Sequence, residues 1–506
     1  MEPSPDAPER PGDRRFLLGA MAVALLLRFE GLLWPLKPDE SGFLLVSRNW
    51  HPDADSLFGP LFVDRPPILI GLFRLADLLG GAYAPRFAAA ALVFALVYAA
   101  YRTGLLLGGT SGARWTTAAA VALCGQPDLE LWAAKSESLG VPLVMVSCWL
   151  SLEALYATER RGRYAFAAGL AGAVALGMKQ NLVGGAVFGL VLLVVAVATR
   201  RLTPGQARRV ALAAAAGFVV VVGAVVAVVL TAGVRLGTLW ETLYGFRGDA
   251  FKVITSSNMD APMERLHILG LLFVTTGLAL LLGWFLLTLP EGWRAHPEAA
   301  VAALVMVVVD AVALLLGGSY WVPYLTGLFP GALVAVAIVA GGASGRSRHG
   351  MRIAVVVCSA SMVVTSVGWS VGHLQGKVAP TANYVGAAVK QVALPDDTIV
   401  VLYGRADVVL ASGLDTVYEH LWSVPARTLD PELEQLRTVL AGEGAPTWVV
   451  AWTSLNAYGI DPDGRLQALV ASRYYDVGKV CGRTVYRLRS EPRPSLPYVD
   501  CDRPWL

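Results

Sequence analysis

Residues 16–34 read FLLGAMAVALLLRFEGLLW, and the chain continues Pro35-Leu36-Lys37-Pro38-Asp39-Glu40-Ser41. An apolar run of about 20 residues is long enough to cross a bilayer as a helix. Two adjacent carboxylates then follow at the point where such a helix leaves the lipid. The segment before it, 1–15, is polar and proline-rich, which predicts a disordered tail. A cleaved secretory signal would place small residues after its apolar part. Here the run continues through Arg28, Phe29, Glu30 and Trp34 instead. The reading is a retained first span with its Arg14/Arg15 end on the cytoplasmic side.

The rest of the chain repeats this pattern. Of 506 residues, 55% are hydrophobic and only 16% charged, against roughly a quarter charged in a soluble domain. Mean hydropathy is +0.56. A formal net charge of +3 gives no footprint for a nucleic-acid partner, and no internal repeat is evident. Further apolar runs lie at 84–106, 113–132, 137–156, 164–178, 181–199, 210–232, 267–289, 299–317, 321–341 and 353–372, which with the first predicts eleven spans. Gln126, Pro127, Asp128 and Glu130 interrupt the third. The expected fold is a polytopic α-helical membrane protein.

Arginine placement fits this map. Loops on the cytoplasmic side are enriched in Lys and Arg. With the first end inside, the inner loops hold Arg102 and Arg114, Arg160, Arg161 and Arg163, Arg200, Arg201, Arg208 and Arg209, Arg294, and Arg346, Arg348 and Arg352. All seven lysines fall outside. The expected location is the plasma membrane, with residues 373–506 extracytoplasmic.

Three outer segments exceed simple connections: 35–83, 233–266 and the tail from 373. In the tail, Thr398–Tyr403 and Thr447–Trp452 read as buried strands. Asp430-Pro431-Glu432 carries a helix N-cap followed by an N1 proline, and Tyr475–Arg487 reads as a closing hairpin. This predicts a small α/β domain. It contains two of the five cysteines, Cys481 and Cys501. A disulfide can persist outside the membrane, so these two are expected to pair. The others, Cys124, Cys148 and Cys358, lie in or beside spans and read as packing.

The first outer segment concentrates the chemistry. After Asp39-Glu40 comes Asp64-Arg65-Pro66-Pro67, opening an amphipathic stretch, 68–79, suited to the membrane surface. A sugar carried on a lipid phosphate presents its reactive carbon at headgroup level. Transfer needs a carboxylate to take the acceptor's proton and cations to hold the departing phosphate. Asp39 or Glu40 could be the base and Arg65 the clamp. The bland alternatives are a capped loop and a snorkelling arginine. Lys179, beside Gln180 and Asn181, and the intramembrane Arg28 could add to the clamp, although Arg28 could equally pair with Glu30 or Asp310. Arg247 and Lys252 could meet phosphate or acceptor. His51 and His267 have no metal-ligand spacing, and Asp39 and Glu40 point apart in most backbones. No obligatory metal is expected, although paired carboxylates can bind a divalent cation.

Asp39-Glu40 beyond the first span, followed by Arg65-Pro66-Pro67, resembles the protein O-mannosyltransferase and lipid A aminoarabinose transferase group of the glycosyltransferase-C superfamily. Arg86, Ser136-Glu137-Ser138, and Gly318-Ser319-Tyr320-Trp321 through Tyr324 and Pro330 are also similar to that pattern. Arg65 stands where the group usually has Lys, and the aromatic-rich stretch after the acidic pair is reduced to Phe43. The resemblance implies inverting transfer of a mannose-like or pentose sugar from a polyprenyl-phosphate donor to a glycan, lipid or protein acceptor in the cell envelope. Asp39 would be the base, Arg65, Lys179 and Arg28 would hold phosphate, and Glu40, Glu137, Arg247 and Tyr320 would support them or the acceptor. The rival readings are a lipid or polysaccharide transporter or flippase, and a non-catalytic envelope scaffold. Transporters place broken helices and polar residues at mid-membrane, whereas here polar residues crowd one edge.

Reporter fusions test the orientation. Fusions at Arg161, Arg201 and Arg348 are expected to read cytoplasmic, and one at Asp407 extracytoplasmic. A cytoplasmic signal at Asp407 would put the tail on the wrong side.

Overall fold

A computed structural model describes residues 11–503 apart from 158, 257, 258, 343 and 378. It is mainly helical, with a five-stranded sheet near its C-terminal end. Six helices are long and apolar enough to cross a membrane, or seven if one bent pair counts as a single span. The chain is thus a multi-pass membrane protein.

Several elements depart from the sequence reading. Residues 11–15, expected to be disordered, belong to the helix Pro11–Leu26, while residues 1–10 of that tail lie outside the described residues. The first span is not continuous: it breaks after Leu26 and resumes as Phe29–Leu33. The break turns Arg28 toward the Leu131 carbonyl, to which it donates. It also lets Trp132 pack directly on Gly31, where a Cβ would come within 2.5 Å of the indole.

The second and third runs form one helical segment, Ala84–Cys124, which reverses at Gly109 with φ 59°. A Cβ on Gly104 would lie 2.7 Å from the Ala113 Cα, a pair that a straight helix would hold more than ~13 Å apart. The returning arm stops at Cys124 rather than 132, because Pro127 and the polar residues around it cannot continue the helix. Asp260–Thr275 and Leu278–Leu287 meet at 67°. Gly277 supplies that bend with φ 81°, against the Cys358 backbone. The expected loop 233–266 is itself largely helical, with Leu236–Trp240, a π-helical turn Glu241–Gly245, and Phe246–Ser256.

The amphipathic stretch of the first outer segment forms the helix Pro67–Gly80, with Leu69, Ile70 and Phe73 buried and Leu75, Leu78 and Leu79 exposed. Its apolar residues therefore face both the protein and the surroundings. An apolar core continues from Phe43, Phe58 and Phe73 into Val385, Val408 and Trp448 of the C-terminal region.

The sheet has the order β2-β1-β3-β5-β4. β1 (Thr398–Leu402), β2 (Asp415–Thr416) and β3 (Trp448–Ala451) run parallel; β4 (Tyr474–Val480) and β5 (Arg483–Leu488) form the antiparallel hairpin. The helix expected to open at Asp430 begins at Glu434 instead. Asp430 still caps it, accepting the N–H groups of Gln435 and Leu436 at 3.1 and 2.9 Å. Cys481 and Cys501 are disulfide-bonded with their Cα atoms 5.4 Å apart. The tail is also held by Arg493, which donates to Asp397 beneath the sheet.

A buried ion pair locks the start of this assembly. Arg86, 1% exposed, lies at the beginning of Ala84–Cys124 and Glu40, also 1% exposed, in the first turn of Pro38–Arg48. Arg86 Nε and Nη2 donate to the two Glu40 oxygens at 2.7 and 2.6 Å. Its remaining N–H groups reach the carbonyls of Gly31, Trp34 and Pro35. Glu40 also accepts the N–H groups of Lys37 and Ala134, at 2.9 and 2.7 Å. Burial opposes the charged carboxylate, but Arg86 and the two amides outweigh it and hold the group below the usual carboxyl range. Removing one partner of such a pair leaves a buried uncompensated charge and typically costs about 3–5 kcal/mol. Glu40→Gln is therefore expected to lower stability by about that amount, read as a clear fall in the unfolding temperature of the purified protein in detergent. An unchanged temperature would show that the pair contributes nothing net.

Candidate active site

Pro38–Arg48 places two acids in its first turn with opposite fates. Successive helical positions differ by about 100° in direction. With Glu40 held inward by Arg86, Asp39 turns toward the C-terminal domain and is only half-buried. Trp422 Nε1, from that domain, donates to Asp39 Oδ1 at 3.1 Å. Among the described residues it is the one hydrogen bond reaching that carboxylate. Phe43 lies one turn further along the same face, its ring 5.8 Å from that of Trp422 and 5.9 Å from the Arg65 guanidinium carbon.

Arg65 precedes Pro66-Pro67, and the prolines force an extended backbone that delivers its side chain to this face. Its Nη1 donates to Asp64 Oδ1 at 2.6 Å and its Nε to Ser136 Oγ at 3.2 Å. Asp64 also pairs with Arg247 at 2.5 Å. Burial opposes the Asp64 charge, and Arg247 and then Arg65 outweigh it, leaving the carboxyl below its ordinary range. Asp64 thus joins the first outer segment to the second, a role its sequence context did not signal. Opposite charges 183 residues apart (64 to 247) can be matched only by folding.

Lys179, 4% exposed, donates to Glu137 Oε1 at 2.5 Å and lies 3.7 Å from the Tyr324 ring centroid. Gln180 binds the Asp64 and Leu243 carbonyls. On the other side, Glu130 bridges Lys37 and Lys135. Burial opposes its charge, and the two lysines pull the carboxyl down to about 2. Lys135 had no role in the sequence reading, because Glu130 and Trp132 were assigned to a span. The helix end at Cys124 releases the chain that follows, so that Glu130 and Lys135 reach the cluster. The charges of Arg65 and Lys135 both act on Asp39.

Four expected site residues thus form one cluster: Arg65 lies within reach of Asp39, and Glu137, Lys179 and Arg247 join it through Arg65 and Asp64. Glu40 is near but fully engaged. Arg28 makes its contact at Leu131 rather than at the cluster, and it pairs with neither expected acid. Glu30 instead meets His373 Nδ1 at 2.6 Å. Tyr320, at φ 51°, packs against the helix-bundle core, and the ring at Lys179 is Tyr324. Lys252 pairs with Asp249 in the open. Among the described residues no three His, Cys, Asp or Glu side chains converge on a metal position.

A groove of about 580 Å³ adjoins the cluster. Phe62, Val63, Phe246 and Glu419 line it, and the same strands of chain run on directly to Asp64, Arg247 and Trp422. A separate, apolar cavity of about 350 Å³, bounded by Ser147, Gly172, Gly185 and Phe218, lies between transmembrane helices.

No protein-family model and no curated protein sequence matches the chain. Solved structures do. ArnT from Cupriavidus metallidurans bound to undecaprenyl phosphate is 17% identical, with a TM-score of 0.63 over 93% of this chain and 97% of that one. Its apo form gives 16% and 0.61 over 94% and 98%. The archaeal oligosaccharyltransferase AglB from Archaeoglobus fulgidus, in complex with an inhibitory peptide and a dolichol-phosphate, gives 11% and 0.52 over 95% and 75%. Across nearly its whole length the chain shares the fold of these proteins.

Proposed function

We propose that this protein transfers a sugar, mannose-like or pentose, from a polyprenyl-phosphate donor to an extracytoplasmic acceptor, with inversion at the anomeric carbon. The observation that carries this reading is the cluster itself. One carboxylate, Asp39, keeps an oxygen without a hydrogen bond among the described residues, within reach of the charges of Arg65 and Lys135, and Arg65 is joined through Asp64 to Arg247 and through Glu137 to Lys179. Both solved relatives were captured with a polyprenyl-type phosphate. The proposal includes eleven crossings, a cytoplasmic N-terminus and an extracytoplasmic domain from residue 373, as the arginine pattern requires.

In this reaction the phosphate seats against Arg65, with Lys179 and Lys135 at its flanks. Each cation now pairs with a carboxylate and can exchange that partner for phosphate oxygens at modest cost, because the charge stays compensated. The acceptor hydroxyl enters from the groove beside Phe62. Asp39 takes its proton as the oxygen attacks the anomeric carbon, and the lipid phosphate leaves from the opposite face. A single displacement needs no covalent nucleophile, and the phosphate leaves as a stabilised anion without an acid partner.

The test uses purified protein reconstituted with polyprenyl-phosphate sugars. Asp39→Asn keeps the shape and removes the base, and is expected to cut turnover ~10²–10⁴-fold with donor binding retained. Arg65→Ala is expected to weaken donor binding first, measured by donor titration. Wild-type turnover in Asp39→Asn would overturn the assignment. Movement of lipid across vesicles without any transfer product would favour a flippase instead.

A further inference from the structure

The C-terminal domain does more than cover the site: it contributes a group to it. Resting on the reading of Asp39 as the base, we infer that Trp422 is a positioning residue for the reaction. Its indole N–H holds one Asp39 oxygen so that the other faces the acceptor.

Three observations support this. The Trp422 N–H to Asp39 Oδ1 distance is 3.1 Å across 383 residues of sequence. The ring packs against the helix that carries Asp39: a Cβ on Gly42 would come within 2.3 Å of Trp422 Cζ2, so only glycine allows the indole this close. Trp422 is itself held at its backbone. It is the N-cap of the helix Ser423–Leu429, in extended conformation. The turn at Gly404, φ 85°, packs against Ser423 N, which a Cβ there would approach to 2.7 Å. Three residues earlier, the Glu419 carbonyl accepts the Phe62 N–H at 3.1 Å, tying this segment to the loop that leads to Arg65.

A carboxylate on a half-exposed helix turn rotates about its side-chain torsions, and its two oxygens exchange roles. One directional donor ends that exchange. The remaining oxygen then points along the face shared with Phe43 and Arg65.

The groups around Asp39 are few. Arg65 and Lys135 act on it from the first outer segment and from the segment before Ser136. Glu40 is committed to Arg86, and Lys37 to Glu130. On the domain side, Arg405 and Asp407 pair with each other at 2.5 Å, and His420 is buried against Phe62 and Tyr418.

Trp422→Phe removes the donor and keeps an aromatic ring. With the carboxylate no longer held in one orientation, kcat at neutral pH is expected to fall roughly tenfold with the KM for donor unchanged. Gly42→Ala, which pushes the ring away without altering Trp422, is expected to give the same fall in kcat. In an Asp39→Asn background Trp422→Phe is expected to add nothing, because residues acting through one another are non-additive. A Trp422→Phe protein with a lower unfolding temperature but wild-type kcat would overturn the inference and leave a structural contact. Full activity in Asp39→Asn alone would instead overturn the reading of the base, so the two failures are distinguishable.

Discussion

The pairing of Arg86 with Glu40 sets the geometry of everything around it. Two charges in an apolar bundle are costly unless each finds full compensation, and here every donor and acceptor of the pair is used. The partners come from the end of the first helical segment, the start of Pro38–Arg48, the start of Ala84–Cys124 and the backbone at Ala134. Four pieces of chain are therefore fixed relative to one another by one guanidinium. The helix that begins at Pro38 cannot rotate without breaking this network, so Asp39 has a set direction. Of two neighbouring acids, one is a strut and the other is left for chemistry.

The cation cluster follows from the same frame. Lys179 is carried at a helix end, Arg65 by a proline-stiffened loop and Arg247 by a helix of the second outer segment, and each has a carboxylate within 2.6 Å. Such a cluster is stable when empty and remains ready for an anion. A fully unpaired set of buried cations would pull its members apart or lower their charge. The aromatic rings of Phe43 and Tyr324 lie against Arg65 and Lys179, and the Trp422 indole meets Asp39.

Small residues make the frame compact. A Cβ on Gly108 would come within 2.6 Å of the Gly341 Cα, and one on Gly169 within 1.9 Å of the Ala214 carbonyl. Helices that share a lipid environment gain little from the hydrophobic effect and associate through close packing, which glycine and alanine permit. The abundance of these residues in the chain thus has a structural use as well as a compositional one. Other glycines give the reversal at Gly109 and the bend at Gly277, where φ is positive.

Much was legible locally. Long apolar runs, arginine bias and the Asp-Glu and Arg-Pro-Pro pairs follow from length, charge and backbone stiffness, which are properties of short segments. The strands at 398–402 and 448–451, the hairpin and the cysteine pair were legible for the same reason. Other features depended on partners far away in sequence. Whether Asp39 or Glu40 is free depends on Arg86, and whether Arg28 joins the site depends on a helix break that Trp132 and Leu131 make worthwhile. Glu130 looked like an interruption of a span because hydropathy cannot say where a helix stops once another can be packed against it. The Trp422 contact joins residues 383 positions apart. Sequence determined the helices, their polar edge and the chemical types present. Tertiary structure alone decided which charge meets which, because a Coulombic or hydrogen-bonded pair exists only when folding brings its members within a few ångströms.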